Sequence, residues 1–354
     1  MKKLFVSSLL ATAAVGFVAF AQTQAPGGTK GSAGQMKYLS HAIHAVNDLD
    51  TTLAFYKDVL GINGTAQDFA NAAVPLLTNA PGVTLRLSMV TLPGIRFELT
   101  HFKGLERKPA QAKFTDPGAG SLILTVRDLD SVLAAAKKAN AAIVTTGGAP
   151  ININGKKSIV IRDPDGFFLQ LVQQAPTAGA PDAIVNGVTV AYTMEDAAKT
   201  LNFYNGMMGL EFPQATAWTK DAAYAKLVGA PENVEFRKIT TSLPPQNGSP
   251  VPVEFTEFRG VPRTKFHLRV RDPGAPAMCI FVTNLEGMVA QMKAAGMNFL
   301  SVDQKIVDFG GGTFNIFVED PNGVNIELAE RTGAPAKGKA ATPAPPSNFK
   351  GTVQ

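Results

Sequence analysis

The chain has 354 residues, of which 45% are hydrophobic and 17% charged, and this apolar content excludes a disordered protein. Its single cysteine excludes a disulfide scaffold. The formal net charge of +5 is concentrated at the ends, because Lys2, Lys3 and the basic residues after position 330 leave the body between them near neutral. Binding to a phosphate backbone requires a basic face on the body, so we expect no nucleic-acid partner.

The first 21 residues have the pattern of a secretory signal peptide. Two lysines precede an apolar stretch from Leu4 to Phe20, which closes on the small-x-small triplet 19–21 that signal peptidase accepts. An uncleaved anchor is the alternative, but about 17 residues is short for a hydrocarbon core of about 30 Å. We therefore predict an exported protein, periplasmic or extracellular, that has no membrane association after cleavage. Residues 22–35 are predicted to be a flexible segment.

A strand, a helix and two further strands are predicted next. The strand 38–46 leads through Asp48, a predicted N-cap, into an amphipathic helix that ends at Gly61. Strand-like segments follow at 83–92 and 95–102.

The same order of elements returns downstream. A strand at 121–126 precedes a helix capped by Asp128, and strands are predicted at 142–145, 157–162 and 167–173. A DPDG sequence predicts a tight turn between the last two strands. A strand, a helix and then several strands, twice over, indicate an α+β fold with strongly curved sheets.

Residues 184–330 repeat the motifs of residues 36–175 in the same order. The repeated motifs keep offsets of 148 to 157 residues: 48–61 recurs at 196–209, Glu98 at Glu254, 116–119 at 272–275 and 163–166 at 320–323. We therefore predict two copies of one domain, joined by a linker at 176–183 and followed by a low-complexity tail at 331–354. The second copy is predicted to contain helices at 196–208 and 285–295, strands at 233–242, 251–258 and 277–282, and a hairpin at 314–329.

These motifs resemble the vicinal oxygen chelate superfamily, which includes glyoxalase I, extradiol dioxygenases and bleomycin-binding proteins. The resemblance rests on segments 41–61, 95–102, 120–130 and 162–172 and on their counterparts in the second copy. It implies two tandem domains, each of two βαβββ modules that form curved mixed sheets around a cleft. It implies no single activity, because this fold supports several reactions and also metal-free binding.

Members of that family hold a divalent metal with up to four inward-facing side chains. At the corresponding positions, the first copy has His41, Glu98, Ser121 and Gln170, and the second copy has Thr189, Glu254, Ala277 and Glu327. Only the histidine and the three glutamates are good ligands, so neither copy alone holds a full set.

Exchange of modules between the copies, as in the glyoxalase type, changes this distribution. One site then gathers His41, Glu98, Ala277 and Glu327, and we predict His41, Glu98 and Glu327 as its metal ligands, with Zn, Ni, Mn and Fe left open as the ion. The residues predicted to line a ligand cleft are Ser121, Gln170, Thr189, Glu254 and Ala277. The sequence leaves open whether modules pair within or between the copies.

The resemblance and the lost ligands support two main functional hypotheses. The first is an exported glyoxalase/bleomycin-resistance-like protein that binds a small molecule in a sheet-lined cleft and has a degenerate metal site. The second is a divalent-metal-dependent lyase or dioxygenase that uses His41, Glu98 and Glu327. A third alternative is an interaction module without a cleft. The sequence does not decide the substrate or the catalytic residues. It also leaves open whether the protein is a monomer or a homodimer.

Overall fold

The computed structural model describes residues 33–109, 111–176 and 183–332. The predicted signal peptide lies outside these ranges, as do most of the predicted flexible segment, of the linker and of the tail. Among the described residues, none of the helices has both the length and the apolar character needed to cross a membrane.

The first half of the chain forms two modules of similar order. Module 1 comprises β1 (Gln35–Ala45), α1 (Leu49–Leu60), β2 (Gln67–Phe69), α2 (Val74–Leu77), β3 (Thr84–Leu92) and β4 (Ile95–Lys103). Module 2 comprises β5 (Gly120–Val126), α3 (Leu129–Lys138), β6 (Ile151–Ile153), β7 (Lys156–Arg162) and β8 (Phe168–Gln173).

The second half repeats this arrangement. Module 3 comprises β9 (Val185–Met194), α4 (Ala197–Leu201), β10 (Thr219–Lys220), α5 (Ala222–Leu227), β11 (Glu235–Leu243) and β12 (Val251–Arg259). Module 4 comprises β13 (Pro276–Thr283), α6 (Leu285–Ala294), β14 (Val307–Gly310), β15 (Thr313–Glu319) and β16 (Asn325–Arg331). A π-helical turn (Asn202–Met207) continues α4, and a 3₁₀ turn (Val302–Gln304) precedes β14.

The four modules combine into two curled, eight-stranded mixed sheets, and each sheet takes one module from each copy. The 1–4 sheet has the order β14-β15-β16-β13-β1-β4-β3-β2, and the 2–3 sheet has the order β10-β11-β12-β9-β5-β8-β7-β6. The antiparallel pairs β1–β13 and β5–β9 join the modules at the centre of each sheet. The predicted α+β class with repeated modules in curved mixed sheets is confirmed, and the modules pair between copies.

Each sheet has two chemically distinct faces. The outer faces pack together with α1, α3 and α6 in one shared apolar core, which includes Phe97, Leu124 and Ile326. The inner face of the 1–4 sheet carries a separate cluster that includes Ile43 and Cys279 and packs against α2. The inner face of the 2–3 sheet carries a third cluster around α5. The two inner faces are where inward-pointing polar side chains collect.

Two predicted elements differ from the structure. The predicted strand 142–145 is reduced to a single bridge between Ile143 and Ile161, because Thr145 turns its hydroxyl group to the β7 backbone and accepts a hydrogen bond from the Val160 N–H. The predicted helix 196–208 is α-helical only to Leu201 and then widens into the π-helical turn, which contains Gly206, a weak helix former.

Candidate functional site

The inner face of the 1–4 sheet collects donor side chains from both copies. His41 on β1 lies directly opposite Cys279 on β13, and Cys279 lies beside Glu327 on β16. Glu98 on β4 approaches His41 from the other side of β1, with a distance of 3.3 Å between His41 Nε2 and Glu98 Oε2. We call His41, Glu98, Cys279 and Glu327 the inner-face cluster. It brings together the three residues predicted as metal ligands. The first half of the chain supplies His41 and Glu98, and the second half supplies Glu327.

A β-bulge at Ser40 orients the histidine. The register between β1 and β13 shifts between Leu39 and His41, so that both Tyr38 and His41 face inward although they are three residues apart. Tyr38 stacks on Phe281 with ring centroids 4.9 Å apart. The Ser40 hydroxyl group lies 3.1 Å from His41 Nδ1, which leaves Nε2 directed at the carboxylate. The bulge therefore places one ring nitrogen in the cluster and holds the other.

The cluster is buried but not sealed. The side chains of His41 and Glu98 are 12% and 16% exposed, whereas Cys279 is 3% exposed. Asn315 on β15 donates a hydrogen bond from its amide nitrogen to Glu327. The cluster thus keeps a narrow contact with solvent on its His41 side.

The two carboxyl groups of the cluster are shifted in opposite directions. Burial alone would raise the pKa of Glu98, but the hydrogen bond and charge of His41 outweigh it and lower the pKa below its ordinary value. Burial raises the pKa of Glu327, and the neighbouring Glu98 charge adds to this against the opposing effect of His41. Burial also raises the pKa of the Cys279 thiol well above its usual range. Relative to free carboxyl groups, the environment therefore favours the charged form of Glu98 and the protonated form of Glu327.

The donor set fits a divalent cation. One ligand atom each of His41, Cys279 and Glu327 lies within 4.8 Å of the others. Bond lengths of about 2.0–2.3 Å in a tetrahedral site place ligand atoms about 3.3–3.8 Å apart, so small side-chain rotations suffice to close the group on an ion. The Asn315 side-chain oxygen is buried and, among the described residues, has no hydrogen-bond partner, while the amide nitrogen of the same side chain donates to Glu327. Imidazole, carboxylate and sulfur donors are the ligand types that zinc and related ions accept.

Cys279 is the cluster member that sequence reasoning missed. The comparison with the family motif selected Ala277 as the third position, and the structure places Ala277 opposite Ile43, one pair further along the same inner face. Strand alternation shows that residue 279 shares the face of residue 277. That signal was present in the sequence, but the pairing that puts residue 279 opposite His41 was not.

The inner face of the 2–3 sheet lacks the equivalent donors. Thr189, Ile123 and Gln170 lie side by side on β9, β5 and β8, in the places that His41, Cys279 and Glu327 occupy in the other sheet. Ser121 lies one pair away, opposite Ala191, and is 4% exposed. The structure thus brings Ser121, Gln170 and Thr189 to one sheet and separates them from Ala277.

A lysine pairs with the Glu254 carboxylate on the inner face of that sheet. Lys238 Nζ lies 2.7 Å from Glu254 Oε1 and 4.4 Å from the centre of the Tyr224 ring. Burial alone would lower the pKa of Lys238, but Tyr224 and Glu254 outweigh it and raise the pKa. In the 2–3 sheet Lys238 is the cross-strand partner of Thr256. At the equivalent pair of the 1–4 sheet, Leu87 is the partner of Thr100, so the lysine replaces a leucine. Comparison of the two copies at this position would have found it.

Paired βαβββ modules around a cluster of inward-facing donors define a protein of the vicinal oxygen chelate type. The model of the glyoxalase/bleomycin resistance protein/dioxygenase superfamily matches residues 38–171 and 188–328. The chain belongs to this superfamily, which confirms the resemblance seen in the sequence. Comparison with curated proteins gives no match.

Solved structures show the same fold. Glyoxalase I from Zea mays is 20% identical, over 83% of this chain and 92% of the maize chain, with a TM-score of 0.53. A mutant of the maize enzyme gives 19% identity, coverage of 83% and 92%, and a TM-score of 0.54. A protein from Bacillus subtilis assigned as a dioxygenase is 13% identical, with coverage of 86% and 88% and a TM-score of 0.49. At these identities the similarity concerns the fold alone.

Proposed function

We propose that the protein is a divalent-metal-dependent enzyme that acts on a small molecule at the inner face of the 1–4 sheet. The observation that carries the proposal is the pairing of modules 1 and 4, which gathers His41, Glu98 and Glu327 on one face. Within the described part of the chain, the equivalent face of the 2–3 sheet carries one carboxylate, Glu254, and Lys238 pairs with it. One active centre per chain is therefore expected.

The donor set favours proton transfer over oxygen activation. Non-haem iron oxygenases use two imidazoles and one carboxylate, whereas this centre offers one imidazole and two carboxylates. A bound divalent ion would polarise adjacent oxygen atoms of a substrate and acidify the neighbouring C–H bond. Glu98, which contacts His41 and lies at the partly exposed side of the cluster, is the carboxylate expected to accept that proton. A lyase or isomerase reaction follows more directly from these groups than a dioxygenase reaction.

The metal content of the protein tests this proposal. We would purify the chain without chelators and measure bound metal by mass spectrometry, beside the variants His41→Ala and Thr189→Ala. The two substitutions remove equivalent residues from the two sheets. We expect about one metal ion per chain in the wild type and in Thr189→Ala, and loss of the ion in His41→Ala. Absence of metal from the wild type, even after loading with Ni, Zn, Mn and Fe, would contradict the proposal.

A second candidate function concerns the inner face of the 2–3 sheet. There the Lys238–Glu254 pair supplies an internal cation, which favours metal-free binding of a small molecule, as in the first hypothesis from the sequence. If this face is the binding site, His41→Ala leaves ligand binding nearly intact and Lys238→Leu weakens it. Binding measured by calorimetry, for a ligand found in a thermal-shift screen, distinguishes the two faces. A ligand lost with His41 and retained without Lys238 would place binding in the 1–4 sheet instead.

We further propose that the protein is exported and that its signal peptide is removed after Ala21. The charged start, the apolar stretch and the small-residue triplet of the sequence support this. Mass analysis of the protein from its native compartment tests it: a mature chain beginning at Gln22 is expected, and a chain that retains residues 1–21 contradicts cleavage.

A further inference from the structure

We propose that Cys279 releases its thiol proton on metal binding and supplies a thiolate ligand to the same ion, which makes the centre a mixed nitrogen, oxygen and sulfur site. This inference rests on the proposed function, because it concerns the ion that His41 and Glu327 hold, with Glu98 beside them as the base. It adds a donor at a position where the family motif gives none.

The strand register carries the argument. Cys279 is the direct cross-strand partner of His41 on one side and of Glu327 on the other, so it stands between two predicted ligands on three adjacent strands. Directly opposite residues have side chains on the same face, a few ångströms apart. The mutual distances within 4.8 Å follow from this register rather than from a chance approach of long side chains.

The surroundings of the thiol exclude two other roles, a reactive surface thiol and a disulfide. The side chain is 3% exposed, so Cys279 is closed to bulk reagents, and no second cysteine exists in the chain to form a disulfide. Ala277, at the third family position, offers no donor atom, which leaves Cys279 as the donor that β13 can supply. Beside it, Asn315 holds Glu327 and keeps a buried oxygen that, within the described part of the chain, is unpartnered. These features describe a preformed polar cluster on a largely apolar sheet face.

A thiolate changes which ion the centre prefers. Sulfur and imidazole donors favour zinc and cobalt, whereas carboxylates alone suit magnesium, calcium and manganese. We therefore expect Zn²⁺ and Co²⁺ to bind in preference to Mn²⁺ and Mg²⁺.

Cobalt substitution tests the ligand directly. The metal-free full-length protein is titrated with Co²⁺, and the near-ultraviolet absorption is recorded for a thiolate-to-cobalt charge-transfer band. Because the chain has one cysteine, such a band in the wild type can come only from Cys279. The band is expected at one equivalent of Co²⁺. In Cys279→Ser, which keeps the size of the side chain, we expect the band to vanish and Co²⁺ binding to weaken by about 10-fold or more.

The outcomes separate this inference from the proposed function. Stoichiometric Co²⁺ binding without the charge-transfer band overturns the thiolate ligand and leaves the proposed metal centre standing. Absence of Co²⁺ binding overturns both. Because the band is read on the wild type, the result does not depend on the folding of the Cys279→Ser variant.

Discussion

A buried imidazole joins modules 1 and 2 on the outer side of the sheets. His44 is fully buried, and its Nε2 lies 2.8 Å from Asp163 Oδ2 and 4.0 Å from Asp165 Oδ2. Burial alone would lower the pKa of His44, but the charge and hydrogen bond of Asp163 outweigh it and raise the pKa. Strand alternation predicts that His44 faces away from His41, and the structure agrees. Its position favours a structural role as the counter-charge to two buried carboxyl groups.

The second copy has no histidine and one fewer acid at the same place. Tyr192 stands in the place of His44, and Asn322 stands in the place of Asp165. Asn322 accepts a hydrogen bond from Thr200 and donates one to Asp320, so the turn keeps its hydrogen bonds with one fewer acid. The paired differences indicate that the histidine and the second carboxyl group depend on each other.

We expect His44→Ala to destabilise the protein by about 3–5 kcal/mol, because it leaves two buried carboxyl groups without their cation. Adding Asp165→Asn should restore part of that loss, with a coupling of about 0.5–3 kcal/mol, since the asparagine removes the repulsion. Urea unfolding of the single and double variants measures the coupling. The exposed Asp130→Asn change serves as a control and should restore nothing. If the losses of unfolding free energy from the two single substitutions simply add in the double variant, the proposed charge coupling between His44 and Asp165 is contradicted.

Asp320 predicts a dependence of stability on pH. Burial raises its pKa from 3.8 to about 6, although hydrogen bonds from Val324 and Asn322 oppose the shift. Between pH 4 and 6 the folded state therefore binds more protons than the unfolded state, so the free energy of unfolding falls as the pH rises through this window. The contribution is on the order of 3 kcal/mol at most. In Asp320→Asn this component disappears. We would measure the free energy of unfolding of both proteins from pH 4 to 7. The value for the wild type minus that for the variant should decline as the pH rises, and a difference that does not change with pH would contradict the raised pKa.

At the scale of elements, local signals predicted helix ends well. Asp48 caps α1 through a 2.8 Å hydrogen bond from the Thr51 N–H, and Gly61 ends the helix in the left-handed conformation. These features depend on neighbours in sequence, so they can be read from it. The short strands β2, β6, β10 and β14 were not predicted, because their pairing depends on a partner strand and not on a periodic pattern of their own. The bulge at Ser40 was missed for the same reason.

The first residues of two equivalent strands meet where the sheets approach each other. A Cβ atom at Gly120, which begins β5, would lie 2.4 Å from the Cβ of Pro276, which begins β13. The proline ring cannot rotate away, so Gly120→Ala should destabilise the protein by about 1–3 kcal/mol. Gly206→Ala is the matched control, since a Cβ there meets only the Asn202 side chain at 3.2 Å. Thermal unfolding of both variants tests this, and equal effects would contradict close contact at the junction.

At the scale of the whole molecule, the exchange of modules determines where the donors meet. The sequence supplied the candidate ligand residues and the four-module order, but it left open which modules share a sheet. Strand pairing over more than 200 residues has no local signature, and the β1–β13 ladder is such a pairing. The same limit explains why Cys279 was not recognised as a site residue, whereas Lys238 faces Glu254 across the local β11–β12 hairpin and was within reach of a comparison of the two copies.

The exchange predicts that the two halves hold together without their linker. The β1–β13 and β5–β9 ladders each join the first half to the second. With a protease site introduced within residues 177–182 and cleaved, the halves should co-elute in size-exclusion chromatography and separate only in denaturant. Separation in native buffer would contradict pairing between copies. An uncleaved sample sets the reference elution volume.

The central claim is that one metal centre forms between the copies, in the 1–4 sheet. Anomalous diffraction from crystals of the full-length protein grown with Zn²⁺, recorded at the zinc absorption edge, tests it most directly. The account predicts one strong peak per chain, within bonding distance of His41 and Glu327. A peak beside Glu254 in the 2–3 sheet, or no peak near His41 at saturating Zn²⁺, would contradict it.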